Sequence, residues 1–404
     1  MTKNPMKNLP ASAPDTVDVV AESNYGTTSE AYNKAFRTWR SSEKNEYAFR
    51  CRKRTKEAVY VEGKGYHEPD PAAEERRAIM QINMVIGMAL FAFLLIENLL
   101  TALLMGAAQV IGLDVGYCYS DGTVYGNQTA VLAILMLKTI LKYLVPILIF
   151  RLTFRMPRRV AFHLKPDAPR EFPATIAVTL IIFAVTNVWM LFSPINFLSN
   201  STLGEAYYTV SYMRPSYQMV YLVFELLTVS ICKELFLHGE VLHVLRQFGD
   251  WYAIILTAIL AVCVSHSWTT ILMELTFSIV SGIAVLQSGS LIPSIFCRML
   301  YHVMLFGLFA MEIWPNQTLQ AYRPLFLFLV LLVGILLCLL SIRPTRKSPA
   351  LLTQKHYLSM KERIYTTMHL GPLSVVFFLC IVLDRKSTRL NSSHSRKSRM
   401  PSSA

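Results

Sequence analysis

The sequence predicts an all-α, polytopic transmembrane helical bundle of about eight or nine spans. Two observations carry this prediction. Hydrophobic residues make up 53% of the chain and charged residues only 16%. The apolar residues also gather in long runs instead of the regular spacing of half-buried soluble elements. Such a chain satisfies its backbone polar groups within helices that cross a bilayer.

Residues 1–78 are polar, carry both signs of charge and hold a basic cluster between Arg50 and Lys56. They contain no apolar core of the kind that a signal peptide requires. We therefore expect a cytosolic N-terminal extension that is partly disordered or weakly helical. Within it, residues 30–60 are a candidate for a helix lying on anionic lipid.

Hydrophobic runs long enough to cross a bilayer follow along the rest of the chain. They occupy residues 79–105, 130–150, 174–195, 217–245, 251–268, 269–288, 291–311, 321–342 and 364–383. The run 217–245 is too long for one straight span. We expect it to emerge near Gly239 and to end as an interfacial segment through His243 and Arg246.

The distribution of Lys and Arg between the loops predicts the orientation of the spans, because basic residues are retained on the cytoplasmic side. The loops 151–172 and 343–363 are rich in Lys and Arg and should lie inside. The connections near 114–129, 196–216 and 312–320 are poor in them and should face out. This arrangement puts the N-terminus in the cytosol.

These patterns divide the chain into an extension (1–78), N-terminal transmembrane helices (79–215), a central core (216–311) and C-terminal transmembrane helices (312–383). Residues 384–404 are basic and rich in serine, although they follow a span directed outward. This charge contradicts the topology rule, and we interpret the tail as artefactual sequence. The net charge of +13 indicates contact with lipid headgroups. Since no nucleic-acid-binding motif is present, we expect no nucleic-acid partner.

The central core carries ionisable residues inside apolar sequence. They are Lys233, Glu234, His238, His266, Arg298 and His302. A charged side chain costs roughly 2.5–3.5 kcal/mol at the centre of a bilayer on insertion scales. Residues of this kind are therefore expected to have partners or a function.

From Leu226 to Phe306 the chain resembles the CPBP family, which comprises CAAX prenyl endopeptidases and bacteriocin-processing intramembrane proteases. That family shows a Glu-Glu-x-x-x-Arg motif, a Phe-x-x-x-His motif, and a Gly-Ser-Leu-x-Pro-x-Ile segment leading into His-x-x-x-Asn. The matching text here is KELFLHG from Lys233, VCVSH ending at His266, GSLIPSI from Gly289, and RMLYH ending at His302.

The resemblance implies a core of four helices in which a Glu, two His and an Asn activate a water for peptide cleavage, with or without a divalent metal such as zinc. When the sequence is aligned with the family motifs, Glu234 corresponds to the second Glu and His266 to the middle His. Four polar positions depart from the pattern. Lys233 replaces the first Glu, His238 the Arg, Arg298 the last His and His302 the Asn.

Three interpretations of these substitutions stay open. Lys233 and Arg298 could pair with Glu234, Glu225 or Glu274 in a buried network that fixes helix packing. Alternatively, a rearranged hydrolytic site could use Glu234, His266 and His302 as catalytic residues, with His266 and His302 as metal ligands. The third interpretation is a pocket for a peptide or lipid headgroup, in which the two cations attract a carboxylate.

A second group of charges lies in the N-terminal spans. Lys138 and Lys142 lie near enough to a span end to snorkel, and Glu97, beside Asn98, is a candidate to cap or bridge helices.

The favoured hypothesis for function is a catalytically impaired intramembrane protease homologue that acts as a membrane scaffold or regulator. The alternatives are a divergent endopeptidase that uses Glu234, His266 and His302, and a small-solute transporter. The expected partners are membrane lipids and a transmembrane segment or peptide of another membrane protein. The expected location is the bacterial plasma membrane, with a cytoplasmic N-terminus.

Overall fold

The computed structural model consists of helices with two short hairpins, which confirms the predicted all-α membrane bundle. It describes residues 30–42, 47, 59–63, 65–67, 71–118, 124–164, 172–188, 202–265, 271–313, 322–341, 357–369, 373–376 and 379. The helices are α1 Glu30–Ser41, α2 Pro71–Val110, α3 Gln128–Phe154, α4 Arg158–Ala161, α5 Phe172–Val188, α6 Thr202–Thr209, α7 Pro215–Glu234, α8 Leu242–Leu245, α9 Asp250–Ser265, α10 Ile271–Ser288, α11 Ile292–Ile313, α12 Arg323–Ser341 and α13 Met360–Met368. A π-helix, Leu235–Val241, joins α7 to α8, and a 3₁₀ turn, Arg246–Phe248, follows α8.

Within the described residues, five helices are long and apolar enough to cross a membrane, namely α2, α3, α10, α11 and α12. The apolar helices α5 and α9 are shorter, with 17 and 16 residues. The predicted last span, 364–383, differs from the structure, where α13 ends at Met368. Residues 314–321, between α11 and α12, lie outside the described part of the chain.

The helices α2 and α3 form a long antiparallel hairpin. With 40 residues, α2 extends over about 60 Å. It starts at Pro71, several residues before the predicted span, because the polar sequence PAAEERR continues the helix beyond the apolar run. Asn127 caps the start of α3 by accepting the N–H groups of Thr129 and Ala130 with its side chain.

Each hairpin is a pair of three-residue antiparallel strands. β1 (Val59–Val61) pairs with β2 (Gly65–His67), and Tyr60 faces Tyr66. β3 (Val115–Tyr117) pairs with β4 (Val124–Gly126) between α2 and α3.

The predicted inner and outer segments meet at opposite ends of the bundle. At one end, the backbone N–H groups of Tyr357 and Leu358 donate to Glu75 at 3.0 Å, and Leu291 donates to the carbonyl of His163 at 2.9 Å. At the other end, Arg214 N–H donates to the side chain of Gln128 at 3.3 Å. The segments predicted to share a side therefore lie at a common end, and which end faces the cytosol stays a prediction.

The helix α1, the described part of the predicted 30–60 helix, packs its apolar face on the protein. Residues 43–46 and 48–58 of that prediction lie outside the described residues. Tyr32, Trp39 and Arg40 lie on one face of α1 and are buried. The indole N–H of Trp39 donates to the carbonyl of Phe154 at 2.9 Å, and the guanidinium of Arg246 donates to the Tyr32 hydroxyl at 2.8 Å. The hydrophobic face of α1 therefore contacts other helices of the same chain.

The predicted interfacial segment after Gly239 is buried, so this part of the prediction is wrong. His243 and Arg246 are 1% exposed. A Cβ at Gly239 would lie 2.6 Å from the carbonyl oxygen of Ala161, which shows how closely α4 covers the π-helix. Arg246 pairs with Asp250 at 3.1 Å, so its charge is compensated within the protein.

Candidate functional site

Four helices bring the polar residues of the core together. Lys233 and Glu234 are the last two residues of α7, and Ser265 is the last residue of α9. Glu274 lies in the first turn of α10, and Arg298 lies near the start of α11. Side chains from four different elements therefore converge in one buried network.

Arg298 is the centre of this network. Its Nε donates to Oε1 of Glu234, and its Nη1 donates to Oε2 of Glu274 at 2.9 Å. The guanidinium also lies 4.4 Å from the centroid of the Phe277 ring, in a cation–π contact. Arg298 is fully buried, so these contacts replace its solvation.

Lys233 extends the network to α9. Its Nζ lies 3.0 Å from Glu274 Oε2 and donates to the Ser265 hydroxyl at 2.6 Å. Ser265 in turn donates to the carbonyl of Ala261 at 2.8 Å. One oxygen of Glu274 therefore accepts from both permanent cations of the site.

Glu234 is surrounded on both carboxylate oxygens. The Ser294 hydroxyl donates to Oε2, while Arg298 occupies Oε1. The Nδ1 of His238 lies 2.7 Å from Oε2, although their geometry is outside that of a hydrogen bond. The other nitrogen of His238, Nε2, contacts the carbonyl oxygen of Ser278 at 3.1 Å and its hydroxyl at 3.2 Å.

The two carboxylates and two permanent cations compensate each other. Lys233 and Arg298 contribute two positive charges, and Glu234 and Glu274 contribute two negative charges. Removing one partner of a buried pair costs about 3–5 kcal/mol, because it leaves an uncompensated charge. The network thus holds the end of α7 and the starts of α10 and α11 together. The two carboxylates neutralise the two cations, so the site has no net positive charge to attract an anion.

His302 lies one turn after Arg298 on α11 and is 6% exposed. Within the part of the chain that the structure describes, its Nε2 has no hydrogen-bond partner. His266 lies outside the described residues. The proposed grouping of Glu234, His266 and His302 therefore stays a prediction.

Glu225, a predicted partner of the cations, is absent from their ion pairs and belongs to a second cluster. Its carboxylate accepts the Thr139 hydroxyl at 2.7 Å. Nearby, Glu97 pairs with Lys138 at 2.8 Å and also with Lys142. The prediction that Glu97 bridges helices is confirmed, whereas the prediction that the lysines snorkel is wrong, because both are drawn to a carboxylate on α2.

Ser265 and Ser294 belong to the network although neither was predicted from the sequence. A signal for Ser294 was available, because it precedes Arg298 by four residues and therefore shares its face of α11. Ser265 directly precedes His266 in the motif, but its contact with Lys233 joins residues 32 positions apart. No local pattern indicates such a contact.

The described residues do not fit a divalent metal. Metal ligands must offer free lone pairs, yet both oxygens of Glu234 and Oε2 of Glu274 already accept from Arg298, Lys233 and Ser294. Lys233 and Arg298 both lie beside Glu274, and their positive charges would repel a divalent cation bound there. Across the described residues, no group of three or more His, Cys, Asp or Glu is arranged to hold a metal ion.

Comparison with known proteins identifies the core. Residues 214–304 match the family model described as type II CAAX prenyl endopeptidase, Rce1-like. This range starts at the residue that caps α7 and contains the whole ion-pair network. Comparison with curated proteins returned no match, and neither did comparison with solved structures. The chain thus contains, at residues 214–304, an Rce1-like core of the CPBP family within an integral membrane helical bundle.

Proposed function

We propose that this CPBP-family protein is a catalytically impaired homologue of the intramembrane proteases and acts as a membrane scaffold or regulator. In this proposal the ion-pair network replaces the hydrolytic site, and the bundle binds a transmembrane segment of another membrane protein. The N-terminus lies in the cytosol, and the expected host membrane is a bacterial plasma membrane.

The proposal rests on one observation, which is that both carboxylate oxygens of Glu234 already accept hydrogen bonds from other side chains. A general base must lie within about 2.6–3.2 Å of the water whose proton it takes, with an oxygen free to accept it. Here Arg298 occupies one oxygen and Ser294 the other. The carboxylate that the family pattern retains is therefore engaged in structural contacts.

The charges at two replaced family positions also support an impaired site. Lys233 and Arg298 stand where the family has a carboxylate and an imidazole. In the structure Lys233 is paired with Glu274, and Arg298 with Glu274 and Glu234. Both side chains donate their hydrogen bonds to these partners and to Ser265, so neither offers a lone pair to a water or a metal ion. The resulting site favours a fixed helix arrangement over turnover.

The proposed partner contact is supported by the apolar surface of the bundle. The helix α12 exposes nine of its large hydrophobic side chains, among them Phe328, Leu332 and Leu336. A bundle with its polar groups paired inside and its apolar groups outside suits contact with lipid and with a partner helix.

A revertant tests the proposal. We compare the parent chain with the triple variant Lys233→Glu, Arg298→His, His302→Asn, which restores the family pattern. Both are purified in detergent and assayed for bound metal and for cleavage of a short peptide library. The proposal predicts no turnover in the parent and turnover in the revertant.

A second candidate function is a divergent endopeptidase that uses Glu234, His266 and His302. The buried Nε2 of His302, which has no partner among the described residues, favours it, because a free imidazole nitrogen can hold a water or a metal. This candidate predicts turnover in the parent that is lost in each of Glu234→Ala, His266→Ala and His302→Ala. That result would refute the scaffold proposal.

A further inference from the structure

The side chain of Asn98 lies exposed on α2, next to the half-buried ion pairs of Glu97. Its Nδ2 donates to the carbonyl of Leu94 one turn earlier, at 2.9 Å. Among the described residues nothing bonds to its Oδ1. An amide therefore presents a free acceptor and one free N–H to the surroundings of the bundle.

The pairing of α2 with α3 gives the depth of Asn98. Glu97 contacts Lys138 and Lys142, which lie on either side of the midpoint of α3. By length and composition α3 is long enough to span a bilayer from Gln128 to Phe154, which places its midpoint in the apolar interior. Asn98 also lies within the apolar run 79–105 of α2, six residues after its centre at residue 92. Both helices thus place its exposed amide within the hydrocarbon region.

The surface around Asn98 allows a second helix to come close. Ala102 and Gly106 follow at intervals of four residues, so all three share one face of α2. Among the described residues, a Cβ added at Gly106 would meet no atom within 4 Å. Small residues in this spacing let helix backbones approach, and polar amides hydrogen-bond across such contacts.

We propose that this face of α2, defined by Asn98, Ala102 and Gly106, binds the same face of a second copy of the chain. Two copies share one orientation in the membrane, so the two-fold axis that relates them runs along the membrane normal. Identical residues then meet at equal depth. Asn98 would face Asn98, and an amide is self-complementary because it both donates and accepts.

A second copy fits this face better than lipid or an unrelated helix. Lipid chains offer no hydrogen bond to a central amide, and an unrelated helix would need its own polar group at that depth. The symmetric pair supplies the matching group automatically. This contact is separate from the function proposed above, since it involves none of the residues of the ion-pair network.

Dimerisation of the full-length chain in lipid vesicles tests the proposal. Single-molecule photobleaching across a range of protein-to-lipid ratios gives the dissociation constant of the dimer. The parent should dimerise, and Asn98→Leu should raise the dissociation constant about 3- to 30-fold, the range expected for an interhelical hydrogen bond in a membrane. Asn98→Gln keeps the amide and should retain the dimer.

Two further variants separate a lost interface from a lost fold. Gly106→Leu fills space that is open in the single chain but closed in the dimer, so it should dissociate the dimer without lowering the unfolding temperature. Ala107→Leu also introduces a leucine, at the next residue and outside the shared face, and should leave the dimer unchanged. A parent that stays monomeric at every ratio would overturn the proposal, and so would a dimer unaffected by both Asn98→Leu and Gly106→Leu.

Discussion

Arg298 donates to Glu274 across 2.9 Å and donates through a second nitrogen to Glu234, so that one guanidinium ties α11 to both α10 and α7. Glu234 and Glu274, the two carboxylates of the network, are therefore both paired with Arg298. This relationship makes the site a structural centre of the bundle and leads to the predictions below.

Replacing Arg298 should destabilise the protein strongly. Arg298→Met keeps much of the side-chain volume but leaves two buried carboxylates facing a single Lys, and we expect a loss of about 3–5 kcal/mol. Unfolding by denaturant in detergent measures it. Arg159→Met, on an exposed residue of α4, is the matched control and should change stability by about 0.5 kcal/mol or less.

Replacing Lys138 and Lys142 together should cost more than the sum of the single replacements. Each single variant, Lys138→Met or Lys142→Met, leaves Glu97 with one cation, and a loss of roughly 0.6–2 kcal/mol is expected. The double variant leaves the carboxylate of Glu97 without either lysine. A double-mutant cycle on unfolding free energies checks this, and strictly additive losses would contradict a shared partner.

Adding one methyl group at Gly239 should be destabilising. A Cβ there would lie 2.6 Å from the backbone carbonyl of Ala161, so α4 and the π-helix must separate. We expect a loss of about 1–3 kcal/mol for Gly239→Ala. Gly307→Ala, where the nearest atom to a Cβ would belong to the Phe326 ring at 3.9 Å, serves as the control in the same unfolding experiment. Equal effects of the two variants would show that the contact with Ala161 is unimportant.

The start of α13 should respond to acid. Glu362 accepts the backbone N–H of Ser359 at 2.7 Å, and this hydrogen bond holds the pKa of the Glu362 carboxyl below its usual range. A lowered folded-state pKa stabilises the charged form. Its contribution is therefore present above the unfolded pKa and is lost as pH falls through the folded one.

Limited proteolysis between neutral pH and about pH 3 measures this effect. Cleavage near α13 should increase toward the acid end in the parent, whereas Glu362→Gln, which cannot titrate, should show a flatter dependence. Parallel pH profiles for the two proteins would contradict the role of the capping carboxylate.

The spans were predictable where hydrophobicity alone decides them. The runs 130–150, 269–288 and 291–311 correspond to α3, α10 and α11 within a few residues, apart from the polar ends of α3, because a long apolar run in a bilayer has few alternatives to a helix. The docking of α1 was not predictable in the same way. Its buried face suits lipid and protein equally, and the contacts of Tyr32 reach residues more than a hundred positions away.

The charged members of the candidate site were predictable, but its two serines and the pairing of the charges were not. The motif spacing brought out Lys233, Glu234, His238 and Arg298, and Glu274 was one of three carboxylates proposed as partners. Choosing Glu274 and Glu234 over Glu225 required the arrangement of α7, α10 and α11 in space. The same limit applies to Glu97, whose lysines lie 41 and 45 positions away along the chain.

The central claim is that Glu234 is held in an ion-pair network and does not act as a base. The most direct measurement is cleavage of a peptide library by the purified parent chain, set beside Glu234→Ala. The account predicts that the parent cleaves no faster than the variant. Turnover in the parent that disappears in Glu234→Ala would contradict it.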